Sequence, residues 1–316
     1  MLKRTFYTLL LTLLSVGVFA QQDALFTQYM FNNLYITPAF AGVEGVTKLT
    51  AFHRTQWQGY QASFDDGGAP STQMVNFTTP MFKLRSGFGA YVMNDKLGPQ
   101  TNLEAQGMYA YHIGIKDAKL SLGLKAGIYA QSINAKAYRA LHPNDPEIPK
   151  DKTDQIRPDL GVGAFFRAEK YYVGVGVNHL LRSEFDFGSD KTRNALATHL
   201  NATAGYYYEM NFDLKVLFST AVRSDFNKTQ FDLSTIAYYK DKLWGGLAFR
   251  QSEAASLLLG YAFMKDRSLR LGSSFDFVLI DKDAKQFLSW ELMLSYELPV
   301  NPGSGKKVVR TPRYRH

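Results

Sequence analysis

From residue 45 onward the chain alternates large apolar residues with small or polar ones, a period of two that strands produce and amphipathic helices do not. In 119–134 one face reads Leu120, Leu122, Leu124, Ala126, Ile128, and the other Ser121, Gly123, Lys125, Gly127, Tyr129, Gln131. The segment 286–298 sets Leu288, Trp290, Leu292, Leu294, Tyr296 and Leu298 against Ser289, Glu291, Met293, Ser295 and Glu297. A lysine and two glutamates on the second face argue that this face is wet. Marking every such run predicts 14 strands, at 45–56, 71–79, 86–94, 101–115, 119–134, 158–168, 170–181, 199–210, 213–224, 229–240, 242–250, 255–264, 268–277 and 285–298. Many reach the ~9–11 residues that a tilted transmembrane strand needs, whereas soluble proteins commonly use ~5–6.

The connections alternate as well. Those after even-numbered strands are short and polar, such as Lys116-Asp117-Ala118, Glu169, Asn211-Phe212 and Lys265-Asp266-Arg267, while 57–70, 135–157 and 182–198 are long. Short turns at one rim and long loops at the other are the layout of an outer-membrane β-barrel, with the short turns on the periplasmic side. An even strand count places both chain ends there too. Closure follows from the solvent, because no water in the hydrocarbon layer can satisfy an unpaired strand edge. Tyr109, Tyr111, Tyr171, Tyr172, Tyr206, Tyr207, Tyr208, Tyr238 and Tyr239 fall near strand ends, where rings with polar tips suit the membrane interface. The alternative is a soluble β-protein with an aromatic core.

The amino terminus changes the compartment. Lys3-Arg4, an apolar stretch from Leu9 to Phe19, and Val18-Phe19-Ala20 before Gln21-Gln22 read as a secretory signal peptide cleaved after Ala20. The apolar run is shorter than the ~20 residues of a spanning helix. Removing Lys3 and Arg4 lowers the formal charge from +8 to +6. Dispersed positive charge on an exported chain gives no reason to expect nucleic acid. There is no cysteine, so disulfides and thiolate metal sites are excluded. The resulting division is a signal peptide at 1–20, an amino-terminal plug or periplasmic segment at 21–44, a barrel at 45–298 and a basic periplasmic tail at 299–316.

Catalytic chemistry finds no constellation, and no catalytic residue, cofactor or metal ligand is assigned. His53, His112, His142, His179 and His199 occur singly, without the paired spacing of helical metal ligands. Asp65-Asp66-Gly67-Gly68 reads as a turn, and Asp281-Lys282-Asp283 as a solvated loop. Gly161, Gly163, Gly174 and Gly176 lie inside strand patterns, so they read as packing or curvature positions. Binding is the better reading. Phe26, Tyr29, Phe31, Leu34, Tyr35 and Phe40 make the amino-terminal segment too apolar to stay free in the periplasm, so it is expected to fill the lumen together with inward Tyr129, Phe165 and Met293.

Several motifs carry a family resemblance. The stretch from Gln28-Tyr29-Met30-Phe31 through Pro38-Ala39 to Gly42 resembles the opening motif of the PorP/SprF family of type IX secretion and gliding proteins. His53-Arg54-Thr55-Gln56-Trp57, Gly68-Ala69-Pro70-Ser71-Thr72, Asn94-Asp95-Lys96-Leu97-Gly98-Pro99, Tyr109-Ala110-Tyr111 with 120–127, Asp241-Lys242-Leu243-Trp244-Gly245-Gly246 and Glu291-Leu292-Met293-Leu294-Ser295-Tyr296 continue it. Thr37 departs from the usual Asn, and 271–276 from a Tyr-Ser-Tyr-Asp-like end.

The resemblance implies an integral outer-membrane barrel that binds a secreted adhesin or enzyme through its carboxyl-terminal sorting domain. The barrel reading adds contact with outer-membrane lipid, and the basic tail adds periplasmic peptidoglycan-associated or secretion-ring proteins as expected partners. Trp57, Tyr60 and Phe64 on the first long loop are candidate anchors for the secreted partner. Lys306, Lys307, Arg310, Arg313, Tyr314 and Arg315 of the tail are candidates for periplasmic docking. The competing function is FadL-like transport of small hydrophobic molecules.

Overall fold

The alternating runs pair, each with its neighbours, into a closed antiparallel barrel of 14 strands. The computed structural model describes residues 23–61, 68–134, 137, 153–187, 193–280 and 285–298. In chain order the strands are β1 (Lys48–Thr55), β2 (Ser71–Met81), β3 (Ser86–Leu97), β4 (Gln100–Ile115), β5 (Ala118–Ile133), β6 (Thr153–Arg167), β7 (Tyr171–Asn178), β8 (Glu184–Asp186) and β9 (Arg193–Ala195). They continue as β10 (His199–Glu209), β11 (Leu214–Ser224), β12 (Thr229–Tyr239), β13 (Leu243–Arg250), β14 (Ala254–Phe263), β15 (Leu269–Val278) and β16 (Leu288–Glu297). The first and last strands close the wall, in a register running from Lys48 opposite Glu297 to Thr55 opposite Trp290. Strands β8 and β9 stand apart as a hairpin.

Alternation sets the two faces. Leu122, Leu124 and Ile128 of β5 and Leu292 and Leu294 of β16 point outward and stay about half exposed. Large apolar residues repeat on the outer face of almost every strand, an area far beyond the few hundred Å² of apolar patch that soluble monomers carry. Lipid is the solvent this surface fits. Tyr109, Tyr111, Tyr171, Tyr206, Tyr208 and Tyr239 are exposed toward the short-turn rim, as aromatic girdles are.

Three expectations change. Strand β6 begins at Thr153 rather than 158, because 153–157 stays paired with 129–133 of β5. The apolar pattern gives no signal there, since wall standing clear of lipid has no reason to be apolar. The connection 182–198 contains β8 and β9, in which Glu184 to Asp186 pair with Ala195 to Arg193, runs too short for periodicity to mark. The inner face is not wet at its charges either: Lys125 and Glu291 are 2% and 0% exposed. Their solvent has been replaced by protein, namely the chain that precedes β1.

Candidate functional site

Residues 23–46 lie inside the barrel. Their backbone makes three tight turns, a 3₁₀ turn at Tyr29–Phe31, one α-helical turn at Asn33–Ile36 and a 3₁₀ turn at Pro38–Phe40. Thr37 precedes the last of these with Pro38 at its first position, the place where a missing N–H does no harm. Phe26, Tyr29, Leu34, Tyr35 and Phe40 are buried and Phe31 is partly buried against the same cluster. The rings meet wall rings directly: Phe26 lies 5.5 Å from Phe52 and Tyr35 5.7 Å from Tyr91. Phe40 lies 5.1 Å from Phe165, and Phe31 5.7 Å from Trp244.

Glycines make the room. A Cβ on Gly123 would come closer than 3.0 Å to the backbone of Ala39, and one on Gly163 would collide with the Thr37 hydroxyl. Their packing role is therefore specific: the wall is thinned where the inner chain's backbone crosses it. Thr37 Oγ1 uses that approach to donate to the Val175 carbonyl at 2.9 Å. At the short-turn end, Gly42 N donates to Thr78 Oγ1 at 2.8 Å.

Two buried polar clusters fix the other end of the segment. In the first, Arg54 of β1 reaches Asp276 of β15 at 2.7 Å and Glu291 of β16 at 3.3 Å. Thr27 completes it: its N–H donates to Glu291 Oε2 at 2.9 Å, its hydroxyl donates to Asp276 at 2.8 Å, and that oxygen accepts from Arg54 Nη1 at 2.9 Å. Gln28 N donates to Glu291 Oε1 at 3.1 Å. Buried charges are tolerated only when paired and hydrogen-bonded, and here the inner segment supplies part of the satisfaction.

In the second cluster, the imidazole of His179, just after β7, lies between Asp23 and Asp159, with each nitrogen 3.0 Å from a carboxylate oxygen. Asp159 also accepts from Gln106 Nε2 at 2.8 Å and lies 3.7 Å from Lys125 Nζ. His199 Nδ1 stands 3.6 Å from Asp23. Burial opposes the charge on His179, but Asp23 and the hydrogen bonds to Asp159 and Asp23 push its pKa up to about 10. Burial also acts against the Asp23 carboxylate, yet His199, His179 and Lys125 hold it below the ordinary range. Asp23, His179 and His199 are the group that could hold a metal ion among the described residues. The histidines that occur singly along the chain are thus brought together by the β7–β10 pairing, which sets His199 opposite Asn178.

At the long-loop rim Trp57 and Tyr60 meet edge to face at 5.8 Å. Trp57 N donates to Ser289 Oγ at 2.9 Å, and Lys285 Nζ lies 5.6 Å from the indole centre, so this ring packs along the barrel mouth. Phe64, Asp65 and Asp66, His142, Asp281 to Asp283, the stretch 1–20 expected to be a signal peptide, and Lys306, Lys307, Arg310, Arg313, Tyr314 and Arg315 of the expected basic tail lie outside the described residues. The β8–β9 hairpin covers part of the mouth, with Phe185 and Leu196 packed on Tyr129. Three tyrosines expected at the membrane interface face inward instead. Tyr172 stacks on Phe165 at 5.7 Å, and Tyr207 and Tyr238 flank Lys215 Nζ at 5.5 and 5.7 Å. The alternation decides this, since each is one residue out of phase with its outward neighbour.

Sequence reasoning missed Arg54, Asp276, Asp159 and Asp23 as a set. For Arg54, Asp159 and Asp276 the available signal was their phase, because charges on the inner face of membrane strands need partners; Asp23 precedes every strand and carries no such signal.

A family model for the type IX secretion system membrane protein PorP/SprF matches residues 18–296. Among solved structures, the CymD monoaromatic hydrocarbon channel superposes with a TM-score of 0.52 at 11% identity, covering 85% of this chain and 93% of that one. The Ralstonia pickettii toluene transporter TbuX gives a TM-score of 0.50 at 10% identity, with the same coverage of 85% and 93%. At such identities the likeness concerns the fold. No curated protein matches the sequence.

Proposed function

The chain belongs to the PorP/SprF family of type IX secretion system membrane proteins, and from that premise we propose that it acts as a closed receptor. In this reading it binds the carboxyl-terminal sorting domain of a secreted adhesin or enzyme at its long-loop rim. As an integral outer-membrane component of type IX secretion, it meets both cargo and machinery. The supporting observation is the occupied interior: residues 23–46 sit inside the wall, anchored by Arg54, Asp276 and Glu291 and by His179. A barrel whose own chain plugs the lumen works through its surfaces. The long-loop rim then faces outward and both termini face the periplasm.

Loops on a rigid scaffold are common binding elements, and Trp57, Tyr60 and Phe64 are aromatic residues of the kind enriched at interfaces. Deleting 58–68, 135–150 and 188–192 separately and together, then purifying in detergent, tests the reading. The secreted partner should be lost from the combined deletion while the barrel remains heat-modifiable. Full recovery of partner would overturn it.

The basic tail is proposed to dock an acidic periplasmic protein of the secretion apparatus, since clustered Lys306, Lys307, Arg310, Arg313 and Arg315 would give salt-sensitive attraction. Truncation after Pro302 should leave insertion intact and release that partner at physiological salt; unchanged retention removes the tail from the account.

A second reading, movement of small hydrophobic molecules, would begin at an apolar groove of about 720 Å³ on the outward, lipid-facing side of β7 and β10–β14, lined by Val173, Tyr206, Phe218, Leu233 and Leu247. Loss of labelled hydrocarbon or fatty-acid uptake on deletion of the protein would promote it.

A further inference from the structure

We infer that Asp23, His179 and His199 form a binding site for a divalent transition-metal ion of the zinc class, inside the barrel beneath the β8–β9 hairpin. One oxygen, Asp23 Oδ1, faces both imidazoles, 3.0 Å from His179 Nε2 and 3.6 Å from His199 Nδ1. The three donor atoms lie within 4.8 Å of one another, a spread that an ion with bonds of ~2.0–2.2 Å can bridge after small adjustments. Two imidazoles and one carboxylate are borderline ligands, suited to zinc, nickel or copper rather than calcium or magnesium.

Three observations distinguish the cluster from an ordinary buried ion pair. Behind His179, Asp159 Oδ1 accepts from Nδ1 at 3.0 Å, leaving Nε2 aimed at the site. A carboxylate orienting a ligand imidazole from behind is the usual second layer of a metal centre. Asp159 is itself held by Gln106 and Lys125. Next, His199 Nε2 and both amide atoms of Asn178 are buried with no hydrogen-bond partner among the described residues. Orphaned buried polar atoms are uncommon, and Asn178 faces His199 across the β7–β10 ladder, so an additional oxygen donor stands beside the cluster. Finally, the site is roofed. Tyr129 meets His179 edge to face at 5.6 Å, and Phe185 of β8 packs on Tyr129 at 5.8 Å.

On binding, His179 coordinates as the neutral imidazole, so its Nε2 proton leaves to solvent as the metal–nitrogen bond forms. His199 turns Nδ1 from the Ala197 carbonyl, now 3.0 Å away, to the ion, and the proton that Nδ1 gives up is taken up at the ring's unpartnered Nε2, so this imidazole also binds in its neutral form. Asp23 belongs to the inner segment, whereas both histidines belong to the wall. The ion would therefore staple the start of the segment to β7 and β10, a removable lock that does not depend on what the rim binds.

The test uses the whole mature barrel in detergent, stripped with EDTA, loaded with zinc chloride or cobalt chloride, and desalted. Elemental analysis should find one equivalent of zinc retained, and cobalt should give the visible absorption of a low-coordinate nitrogen–oxygen site. Excess calcium or magnesium should not displace it. The H179A/H199A double variant should retain none, and Asp159→Asn should weaken zinc binding by about 10–100-fold. Should the double variant fail to fold, Asp23→Asn, which keeps the shape and one oxygen, replaces it and should likewise lose zinc. His53→Ala, away from the site, should bind normally. Wild-type protein retaining no more zinc than the variants, or losing it to calcium, would overturn the inference and leave a hydrogen-bonded imidazolium in its place.

Discussion

Arg54 Nη2 lies 2.7 Å from Asp276 Oδ2, with both side chains almost wholly buried inside the barrel. The pair spans from β1 to β15 across β16, and Thr27 of the inner segment hydrogen-bonds both partners. The wall and the chain it encloses are therefore stabilised by one network. Arg54→Met would leave Asp276 and Glu291 buried without that cation, and removing one partner of a buried pair costs about 3–5 kcal/mol. The urea midpoint for loss of heat-modifiable barrel should fall accordingly. The triple variant Arg54→Met, Asp276→Asn, Glu291→Gln should recover a large part of the loss, because no unpaired charge remains.

Gly123 and Gly163 make a steric prediction. A Cβ at either meets the backbone or hydroxyl of residues 37–39 closer than 3.0 Å, whereas a Cβ at Gly114 meets nothing within 4 Å. Gly123→Val should displace the inner segment without opening the wall, and Gly163→Val, whose Cβ also meets the Val175 carbonyl of the neighbouring strand, should displace it with added strain between β6 and β7, each seen as new cleavage of residues 23–46 by added protease on heat-modifiable barrels. Gly114→Ala should match wild type, and equal protection of all three variants would contradict the close approach.

The His179 cluster predicts a pH window in EDTA-treated protein. The folded pKa of His179 is raised to about 10 from ~6.5 in the unfolded chain, so its contribution is complete below the lower value and lost as pH rises through the upper one. Asp23 is shifted down, so its contribution is present above ~3.9 and lost as pH falls below it. The stability difference between wild type and His179→Gln should thus be greatest near pH 4–6.5 and vanish above about pH 10. A difference that is flat from pH 5 to pH 11 would remove the charged His179 from the account.

The outer face should report lipid directly. Leu124 lies midway along β5 and points outward, 54% exposed. An arginine there should destabilise the barrel by about 2–4 kcal/mol, as arginine at a bilayer midplane does. The same change at Phe212, in a turn at the short-turn rim, should be nearly neutral, and equal effects would argue against the assigned membrane depth.

Most of the wall was legible because lipid imposes a strict rule. Leu120 to Ile128 and Leu288 to Leu298 alternate because one face must be apolar, and all 14 wall strands follow from that demand. The rule is silent where lipid is absent, which is why 153–157 and β8–β9 escaped notice. Burial of the inner face was also hidden, since Lys125 and Glu291 read as wet until Asp159 and Thr27 are seen beside them. His179 and His199 are 20 positions apart and Asp23 is more than 150 from either. Only the β7–β10 pairing and the inward path of residues 23–46 bring them together, so no local spacing could announce the cluster.

Whether the barrel is closed by its own chain decides between a receptor and a channel. Single-channel recording of the mature protein in planar bilayers measures this most directly, with a variant lacking residues 23–40 as the open reference. The account predicts little or no conductance for the full chain and stable porin-like steps only for the deletion variant. Large stable steps from the full-length protein, indistinguishable from those of the deletion, would contradict it.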